Sequence, residues 1–312
     1  MIYENYFKRI CRKLESAIKF AYTDLALKKV GELKNCEYLI TKEHLRKPPV
    51  SGYSPLEKGM KWGSEWENMW VKGTAEFTED VNGRVCVTPH TNAAETLVFI
   101  DKVPRGIVNS KGADIINGLH AFALIDKDVK AGTKYEIALD SYAWHFCAGC
   151  TPYTNYGKKE ADDGEFERIY EGVDLSVIDE DVYGFILDLN MALQLANFTD
   201  YNQSANAKAA YILEKVMETV VQDPLSHPEE VWRASIVKCR EIMAELFNNE
   251  QNDDLGYVGI IGHSHMDTAW LWPVKETIRK CARTYANALN LMDFDPDYKF
   301  IQSSALHLDW MR

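Results

Sequence analysis

The chain has 312 residues, of which 46% are hydrophobic and 26% are charged, and its formal net charge is −12. This length allows two domains, or one domain and part of another, and the composition is that of an ordinary globular protein. The acidic excess argues against nucleic acid or an anionic membrane as the main partner.

The amino terminus and the cysteines predict a cytoplasmic protein. Residues 1–9 carry charges where a secretory signal needs an apolar core, and no apolar run approaches the roughly 20 residues that cross a bilayer. The seven cysteines form an odd, dispersed set, which is typical of reduced thiols. We therefore expect a cytoplasmic location and no membrane partner.

The first half of the chain predicts a helix followed by strands. Residues 3–30 carry apolar side chains at helical spacing. From 35 to 182, short β-prone runs alternate with turn residues about every ten positions, which is typical of a β-sandwich, here expected to be jelly-roll-like. Residues 97–108 predict a hairpin, and residues 134–139 alternate between apolar and polar side chains.

Two groups of residues favour a structural interpretation over a functional one. Cys147 and Cys150 lack a second cysteine pair, so structural thiols are favoured over a metal or redox site. Trp62, Trp66 and Trp70 could line a sugar-binding face, but they lie in strand-like sequence and core packing is favoured.

Between 183 and 250 the hydrophobic period returns to that of a helix. Three apolar stripes predict three helices, at 185–196, 209–220 and 232–246. Pro228 precedes the third stripe and predicts the first turn of its helix. We interpret this region as a helical linker, and the polar run 248–254 is the best inter-domain boundary in the chain.

The most informative stretch is Tyr257–Pro273, which reads YVGIIGHSHMDTAWLWP. Its apolar start predicts a buried parallel strand, with polar residues at the carboxyl end of that strand. Alternate residues of an extended chain point the same way, so His263, His265 and Asp267 could converge on one ion. Imidazole nitrogen and carboxylate oxygen suit zinc, but two or three ligands do not complete a zinc site.

A long helix is predicted to open at Pro273, with a second strand at 299–304. Strand, helix and strand in this order form a βαβ unit of a parallel barrel or an open sheet. Trp270 is close enough to the polar cluster to support a sugar ring, or it packs in the core; Trp272 is interpreted as packing. The side chains predicted to be buried on the helix are Val274, Ile278, Cys281, Ala282, Tyr285, Leu289 and Met292.

Residues 262–283 and 295–304 closely resemble glycoside hydrolase family 38, the class II α-mannosidases. The chain looks most like the cytosolic and vacuolar branch and its bacterial relatives. The resemblance covers residues 256–312 with high specificity, and 70–77 and 97–101 are similar to the amino-terminal β-sandwich of that branch in a less distinctive way.

The resemblance implies that His265 and Asp267 are zinc ligands and that Trp270 lies beneath the mannose at the cleavage point. His263 matches a motif histidine that is not usually a direct ligand, so the resemblance favours two ligands here. In the family, zinc holds the mannose 2- and 3-hydroxyls, an aspartate attacks the anomeric carbon, and a separate acid protonates the leaving oxygen in a retaining reaction. The nucleophile, the acid and the last zinc ligands are expected downstream, so no catalytic residue is predicted in this chain.

The predicted fold class is mixed. It comprises a helical segment (1–34), a jelly-roll-like β-sandwich (35–182), a helical linker (183–250) and the truncated start of an α/β barrel catalytic domain (256–312). A complete barrel needs upwards of about 200 residues. We therefore expect an amino-terminal fragment of an α-mannosidase that acts on mannose-containing oligosaccharides. We expect the chain alone to be inactive, to hold zinc weakly, and to form homo-oligomers through exposed apolar surface.

Two alternatives stay open. Another metal-dependent hydrolase with a strand-end His-x-His site would use His263 and His265 together on the metal. A non-catalytic carbohydrate-binding or assembly module would bind sugar through residues 1–250 alone.

Overall fold

The structure is a computed structural model and describes residues 2–17, 21–109, 121–145, 166–198, 204–247 and 259–312. The chain forms two compact units: residues 1–28 and 178–257 form most of one, and the remainder forms most of the other. The first unit is helical and the second contains the sheets, so the expectation of a mixed fold with helices and antiparallel sheets is confirmed. The predicted thiol pair Cys147 and Cys150 and the predicted boundary at 248–254 lie outside the described residues.

Four helices build the helical unit around one apolar core: α1 (Ile2–Ala17), α2 (Glu180–Phe198), α3 (Ser204–Thr219) and α4 (Glu229–Phe247). The three predicted stripes are confirmed as the buried faces of α2, α3 and α4. Asp179 fixes the start of α2, because its carboxylate accepts the Val182 N–H at 3.2 Å and binds Arg233 of α4 at 2.6 Å. None of the helices in the described part of the chain is long and apolar enough to cross a membrane.

The prediction of one helix over 3–30 is wrong from Leu27 onward. The helix α1 includes Ala17, and Leu27–Glu32 forms strand β1 instead. β1 joins a sheet beside a strand about 150 positions further along the chain. This long-range pairing overrides the local helical spacing, which weakens towards Leu27.

The second unit contains two larger antiparallel sheets. Its strands after β1 are β2 (Lys34–Thr41), β3 (Ser54–Pro55), β4 (Lys61–Trp62), β5 (Asn68–Glu76), β6 (Val81–His90), β7 (Glu95–Ile100), β8 (Val103–Val108), β9 (Ala123–Val129), β10 (Lys134–Tyr142), β11 (Arg168–Ile169) and β12 (Gly172–Ile178). The first sheet has the order β1-β12-β6-β9 and the second has the order β3-β2-β5-β10-β7-β8. The predicted hairpin at 97–108 is confirmed, since β7 and β8 pair antiparallel.

Side-chain alternation gives the six-stranded sheet two covered faces. On β10, Ile137 and Leu139 enter a core shared with the four-stranded sheet. Ala138 lies on the opposite face, in a cluster with Leu97 and Phe99 of β7. Helix α5 (Val274–Phe294) covers this second face and packs against β8. Burial on both sides explains why β7 is almost continuously apolar in sequence.

The residues after 258 form a small parallel pair of strands. β13 (Gly262–His263) pairs in parallel with β14 (Phe300–Ile301), and α6 (Ala305–Trp310) follows. The expectation of a buried strand before His263 is wrong in this chain, because Ile260 is 90% exposed and outside any strand. Among the described strands, only β14 flanks β13, and Ile260 and Ile261 are exposed.

The predicted buried face of α5 is also mostly wrong. Val274 and Leu289 are exposed, and of the predicted stripe only Cys281 is fully buried. The buried positions include Glu276, Arg279 and Arg283, which carry charge. The helix therefore docks on the sheet through a mixture of charged and small side chains, and its larger apolar side chains line a cavity of about 520 Å³.

Candidate metal and sugar site

The polar cluster lies on the loop between β13 and α5. Nε2 of His265 is 3.1 Å from Oδ1 of Asp267, and both side chains reach the surface. Both residues follow the end of β13, and the short distance shows that their side chains lie on the same side of the loop. The loop therefore presents one imidazole nitrogen and one carboxylate oxygen side by side.

This pair fits half of a zinc site. Two ligands about 2.0 Å from a tetrahedral zinc ion are about 3.3 Å apart, close to the separation of the two atoms here. Within the ranges that the structure describes, no group of three histidine, cysteine or acidic side chains could hold a metal ion. His265 and Asp267 thus supply the right donor types and leave the other coordination positions open.

His263 does not join the pair. Its Nδ1 lies 3.1 Å from the carbonyl oxygen of Ile301, so this ring nitrogen donates a hydrogen bond to the neighbouring strand β14. The geometric expectation that three side chains converge is not met in this conformation. The observed pair matches the two ligands that the family resemblance implies.

Trp270 offers an exposed aromatic face beside the pair. Its side chain is 61% exposed, and its ring stands nearly perpendicular to that of Trp272 with centroids 5.4 Å apart. Trp272 is held from both sides, by a hydrogen bond to Thr277 and by the ammonium group of Lys280 at 4.8 Å from its ring centroid. Trp272 therefore supports the loop while Trp270 faces outwards.

The loop backbone is in an unusual conformation next to Trp270. Ala269 has φ of 58°, in the left-handed region, which costs a residue other than glycine about 1–2 kcal/mol. The N–H of Ala269 donates to Oγ1 of Thr277, in the first turn of α5, at 3.0 Å. Such strain persists only where surrounding contacts hold it, and it is common at functional sites.

A second, partly buried contact ties the loop to α6. Oγ1 of Thr268 is 2.8 Å from Nε2 of His307, whose Nδ1 is 3.1 Å from the side chain of Gln302. His307 had no role in the sequence interpretation because it is isolated in the chain. The contact of His307 with Thr268 can be recognised only in the folded structure, where α6 lies against the loop.

A buried ion cluster fixes α5 to the six-stranded sheet. Arg283 binds Glu276 of its own helix at 2.9 Å and Glu95 of β7 at 2.6 Å. Arg279 also binds Glu276, at 3.3 Å, and its Nε donates to Nδ1 of His44 at 3.0 Å. The helix that follows the loop is therefore held by charged groups spaced along its first three turns.

Burial and neighbouring charge set the ionisation of this cluster. Burial disfavours the charged form of Glu95, but Arg283 and Lys280 together outweigh it and hold the pKa of Glu95 below its usual value. Burial raises the pKa of Asp140, a carboxyl on β10, although Arg283 and Arg279 oppose the rise. Burial, with a smaller contribution from Arg279, lowers the pKa of His44 to about 4. The neutral imidazole is the form that can accept the hydrogen bond from Arg279.

The predicted core tryptophans differ from one another. Trp62 and Trp70 are buried, as expected for core packing. Trp66 is only partly buried, has φ of 64°, and stacks on His145 with centroids 4.1 Å apart. Among the described residues, Trp66 therefore stacks on His145 and Trp270 packs against Trp272, so the two rings belong to separate aromatic pairs.

Comparison with known proteins identifies the segment that carries this loop. The glycosyl hydrolases family 38 N-terminal domain matches residues 256–312. The resemblance to glycoside hydrolase family 38 is confirmed. The family match covers β13, the loop, α5, β14 and α6, and so includes His265, Asp267 and Trp270.

Curated α-mannosidases match over a wider range. Alpha-mannosidase 2C1 from Homo sapiens is 26% identical over 260 residues, which are 83% of this chain and 24% of that protein. Alpha-mannosidase G from Dictyostelium discoideum is 23% identical, over 83% of this chain and 23% of that protein. The alpha-mannosidase from Saccharomyces cerevisiae is 37% identical over 90 residues, 25% of this chain and 8% of that protein. The chain spans about a quarter of the length of the first two relatives.

Among solved structures, part of this chain is weakly similar to a glycosidase. A β-glucosidase from Kluyveromyces marxianus covers 55% of this chain and 19% of its own, with 10% identity and a TM-score of 0.27. A superposition at that level does not establish a common fold.

Proposed function

We propose that this chain is the amino-terminal part of a zinc-dependent retaining α-mannosidase that hydrolyses terminal α-mannosides. The observation that carries the proposal is the contact of His265 with Asp267 at 3.1 Å, inside the segment that matches family 38. His265 and Asp267 would hold the zinc ion, and Trp270 would lie under the mannose ring. Zinc bound there would act as a Lewis acid and orient sugar hydroxyls.

The roles of the chain's own residues follow from their positions. His265 presents Nε2, and Asp267 presents a carboxylate oxygen, on a loop open to solvent. Trp270 adds an exposed indole face, which suits the apolar face of a sugar ring. Neither a nucleophile nor an acid is assigned to this chain, so we propose that it is inactive alone.

The finer architecture belongs to the same proposal. The two antiparallel sheets, proposed to be jelly-roll-like, would form the domain at 35–182, preceded by a helical segment at 1–34. Residues 183–250 would be the helical linker, and 256–312 would begin an α/β barrel. The parallel pairing of β13 with β14 around α5 supports the last of these assignments.

We further propose a cytoplasmic location, mannose-containing oligosaccharide as the partner, and a homo-oligomer in solution. The last is supported by exposed apolar side chains on the final segment, among them Ile260, Ile301 and Leu308. Sedimentation velocity measures it directly. A single monomeric species at micromolar concentration would contradict the oligomer.

Zinc titration tests the site. Calorimetry with Zn²⁺ on the 312-residue chain should give weak binding that falls at least about tenfold in His265→Ala and in Asp267→Ala. His263→Ala is the matched control, since it removes the neighbouring imidazole of the same loop and should change the affinity less than about threefold. Addition of zinc and a chromogenic α-mannoside to the chain should give no turnover.

The alternatives predict different results. If His263→Ala lowers the zinc affinity as much as His265→Ala does, the His-x-His metallohydrolase is favoured and the mannosidase assignment of the ligands is wrong. If residues 1–250 alone bind a mannose oligosaccharide while mutation of His265 has no effect on zinc, a carbohydrate-binding module is favoured. Measurable turnover by this chain would contradict its proposed inactivity.

A further inference from the structure

Thr277 occupies a special place under the loop. It lies in the first turn of α5 and is completely buried. Its Oγ1 accepts hydrogen bonds from the N–H of Ala269 at 3.0 Å and from the indole Nε1–H of Trp272 at 3.1 Å. The same hydroxyl donates to the carbonyl oxygen of Asp267 at 3.3 Å. One donor and two acceptors are the full capacity of a hydroxyl group, and the loop takes all three.

These bonds are not those of an ordinary helix threonine. A threonine in a helix commonly bonds a carbonyl one turn earlier in the same helix. Thr219 of α3 does this, since its hydroxyl donates to the carbonyl of Lys215 at 2.8 Å. The hydroxyl of Thr277 instead bonds three separate points of the loop, all outside the helix.

The loop conformation depends on a contact of this kind. Ala269 has φ of 58°, which an L-residue rarely adopts without support. Its N–H is the group that Thr277 binds most closely. Loss of that bond would let Ala269 return to negative φ, which would swing Asp267 and Trp270 relative to each other.

Thr277 itself is held in a fixed position. The preceding residue, Glu276, is completely buried and binds Arg279 at 3.3 Å and Arg283 at 2.9 Å. Arg283 in turn binds Glu95 on the six-stranded sheet at 2.6 Å. The hydroxyl of Thr277 is therefore a point of the rigid sheet-and-helix scaffold, presented to the loop.

We propose that Thr277 is a positioning residue that places Asp267 and Trp270 in the arrangement needed to bind metal and sugar together. The proposal rests on the proposed function for the identity of the ligands. It adds that a single buried hydroxyl connects the backbone of a metal ligand, the strained peptide and the tryptophan pair. Groups that orient metal ligands typically change metal affinity by about 10–100-fold when they are removed.

The test uses three variants of the 312-residue chain. Thr277→Val keeps the shape and removes the hydroxyl, Thr277→Ser keeps the hydroxyl, and Thr219→Val is the matched control at a hydroxyl that bonds only its own helix. Two readouts are needed: hydrogen exchange of the Ala269 amide and the Trp272 indole by NMR, and Zn²⁺ affinity by calorimetry. Amides of β10 in the same samples report whether global stability has changed.

The proposal expects both readouts to change together in one variant. In Thr277→Val, exchange at Ala269 should rise at least about tenfold relative to the β10 amides, and zinc affinity should fall at least about tenfold. Thr277→Ser should stay within about threefold of the unchanged chain in both, as should Thr219→Val. Rescue by serine separates the hydroxyl from simple packing.

The other outcomes also decide the question. An unchanged exchange rate of the Ala269 amide in Thr277→Val would overturn the proposal, regardless of the zinc affinity of that variant. Faster exchange with unaltered zinc affinity would overturn it too, because the hydroxyl would then be a structural contact only. If the unaltered chain binds no zinc but Thr277→Val still frees Ala269 and Trp272, the metal part of the proposed function fails and the positioning role of Thr277 is supported.

Discussion

Removal of Arg283 measures how strongly buried charge fixes α5 to the sheets. Arg283 binds Glu95 of β7 at 2.6 Å, and its side chain is only 3% exposed. Arg105 of β8 binds Asp293 of α5 at 2.7 Å, with side chains 37% and 59% exposed. Both arginines join the same helix to the same sheet at nearly equal distances. They differ in burial and in the number of partners, since Arg283 also binds Glu276, so Arg105 is the exposed comparison for Arg283.

The expected cost of Arg283→Met follows from the groups that it leaves behind. Glu276 would keep only Arg279, at 3.3 Å, and Glu95 would keep only Lys280, at 3.5 Å. Removing one partner of a buried ion pair costs about 3–5 kcal/mol, because the remaining charge is desolvated without compensation. We therefore expect Arg283→Met to lower the opening free energy of α5 by an amount in this range. The contact of the guanidinium with the Tyr142 ring is removed as well and adds to the cost.

Hydrogen exchange with mass spectrometry on peptides from α5 is the appropriate assay. The chain has two compact units, so a single unfolding transition does not isolate this contact. Exchange reports the local opening free energy of the helix. Arg105→Met should lower it by at most about 1 kcal/mol, as is usual for an exposed pair. If α5 opens no more easily in Arg283→Met than in Arg105→Met, burial does not strengthen the attachment and the reasoning is refuted.

Two further perturbations follow from single contacts. Because the pKa of His44 is lowered to about 4, the folded state binds fewer protons than the unfolded state between about pH 6.5 and 4, so stability should fall as the pH drops through that window. His44→Gln keeps an acceptor for Arg279 without a titrating ring. The free energy of unfolding of this variant, measured with urea, should therefore change less between about pH 6.5 and 4 than that of the unaltered chain. An equal change in both proteins would refute this reasoning. A Cβ on Gly262 would lie 3.0 Å from the carbonyl oxygen of Lys299, so Gly262→Ala should cost about 1–3 kcal/mol of local stability, measured by exchange of the residue 262 amide. Gly259→Ala, where a Cβ meets nothing within 4 Å, is the control, and an equal effect of both changes would show that close approach to β14 is irrelevant.

Local sequence pattern predicted the strands that have apolar side chains at regular spacing. β7 and β10 are examples, since alternate residues enter the core shared by the two sheets. The order of strands was not predictable in the same way. β10 lies between β5 and β7, and β1 beside β12, because those pairings depend on contacts far apart in the chain.

The face of α5 shows why a local pattern can mislead. Ile278, Leu289 and their apolar neighbours have the spacing of a buried stripe, and charged positions usually form the solvated face. Here Arg283 finds Glu95, which is 188 positions away in sequence. The partner that makes its burial possible cannot be inferred from the helix alone. The charged spacing of Glu276, Arg279 and Arg283 was visible in the sequence but had no distinctive meaning there.

The candidate site was partly accessible from sequence. The alternation rule predicted that His263, His265 and Asp267 converge; His265 and Asp267 are in contact, while their role as zinc ligands stays a prediction. The rule failed for His263, because the hydrogen bond to Ile301 depends on β14. Thr277 was missed since an isolated threonine in a first helical turn has no sequence signal of its own.

Buried charge fixes the position of α5 along the sheet in a way that apolar packing alone would not. The apolar contacts of α5 on this face are few, with Ala286 beside Leu97 and Phe99, and small side chains tolerate sliding. A rotation or a shift by one residue would separate Glu95 of β7 from Arg283, and this carboxylate would lose its closest cation while Arg283 kept only Glu276. We therefore expect a single stable register. Because Thr277 is on the same helix, that register also sets the position of its hydroxyl along the sheet. The hydrogen bonds of this hydroxyl then set the conformation of the loop that presents the candidate ligands.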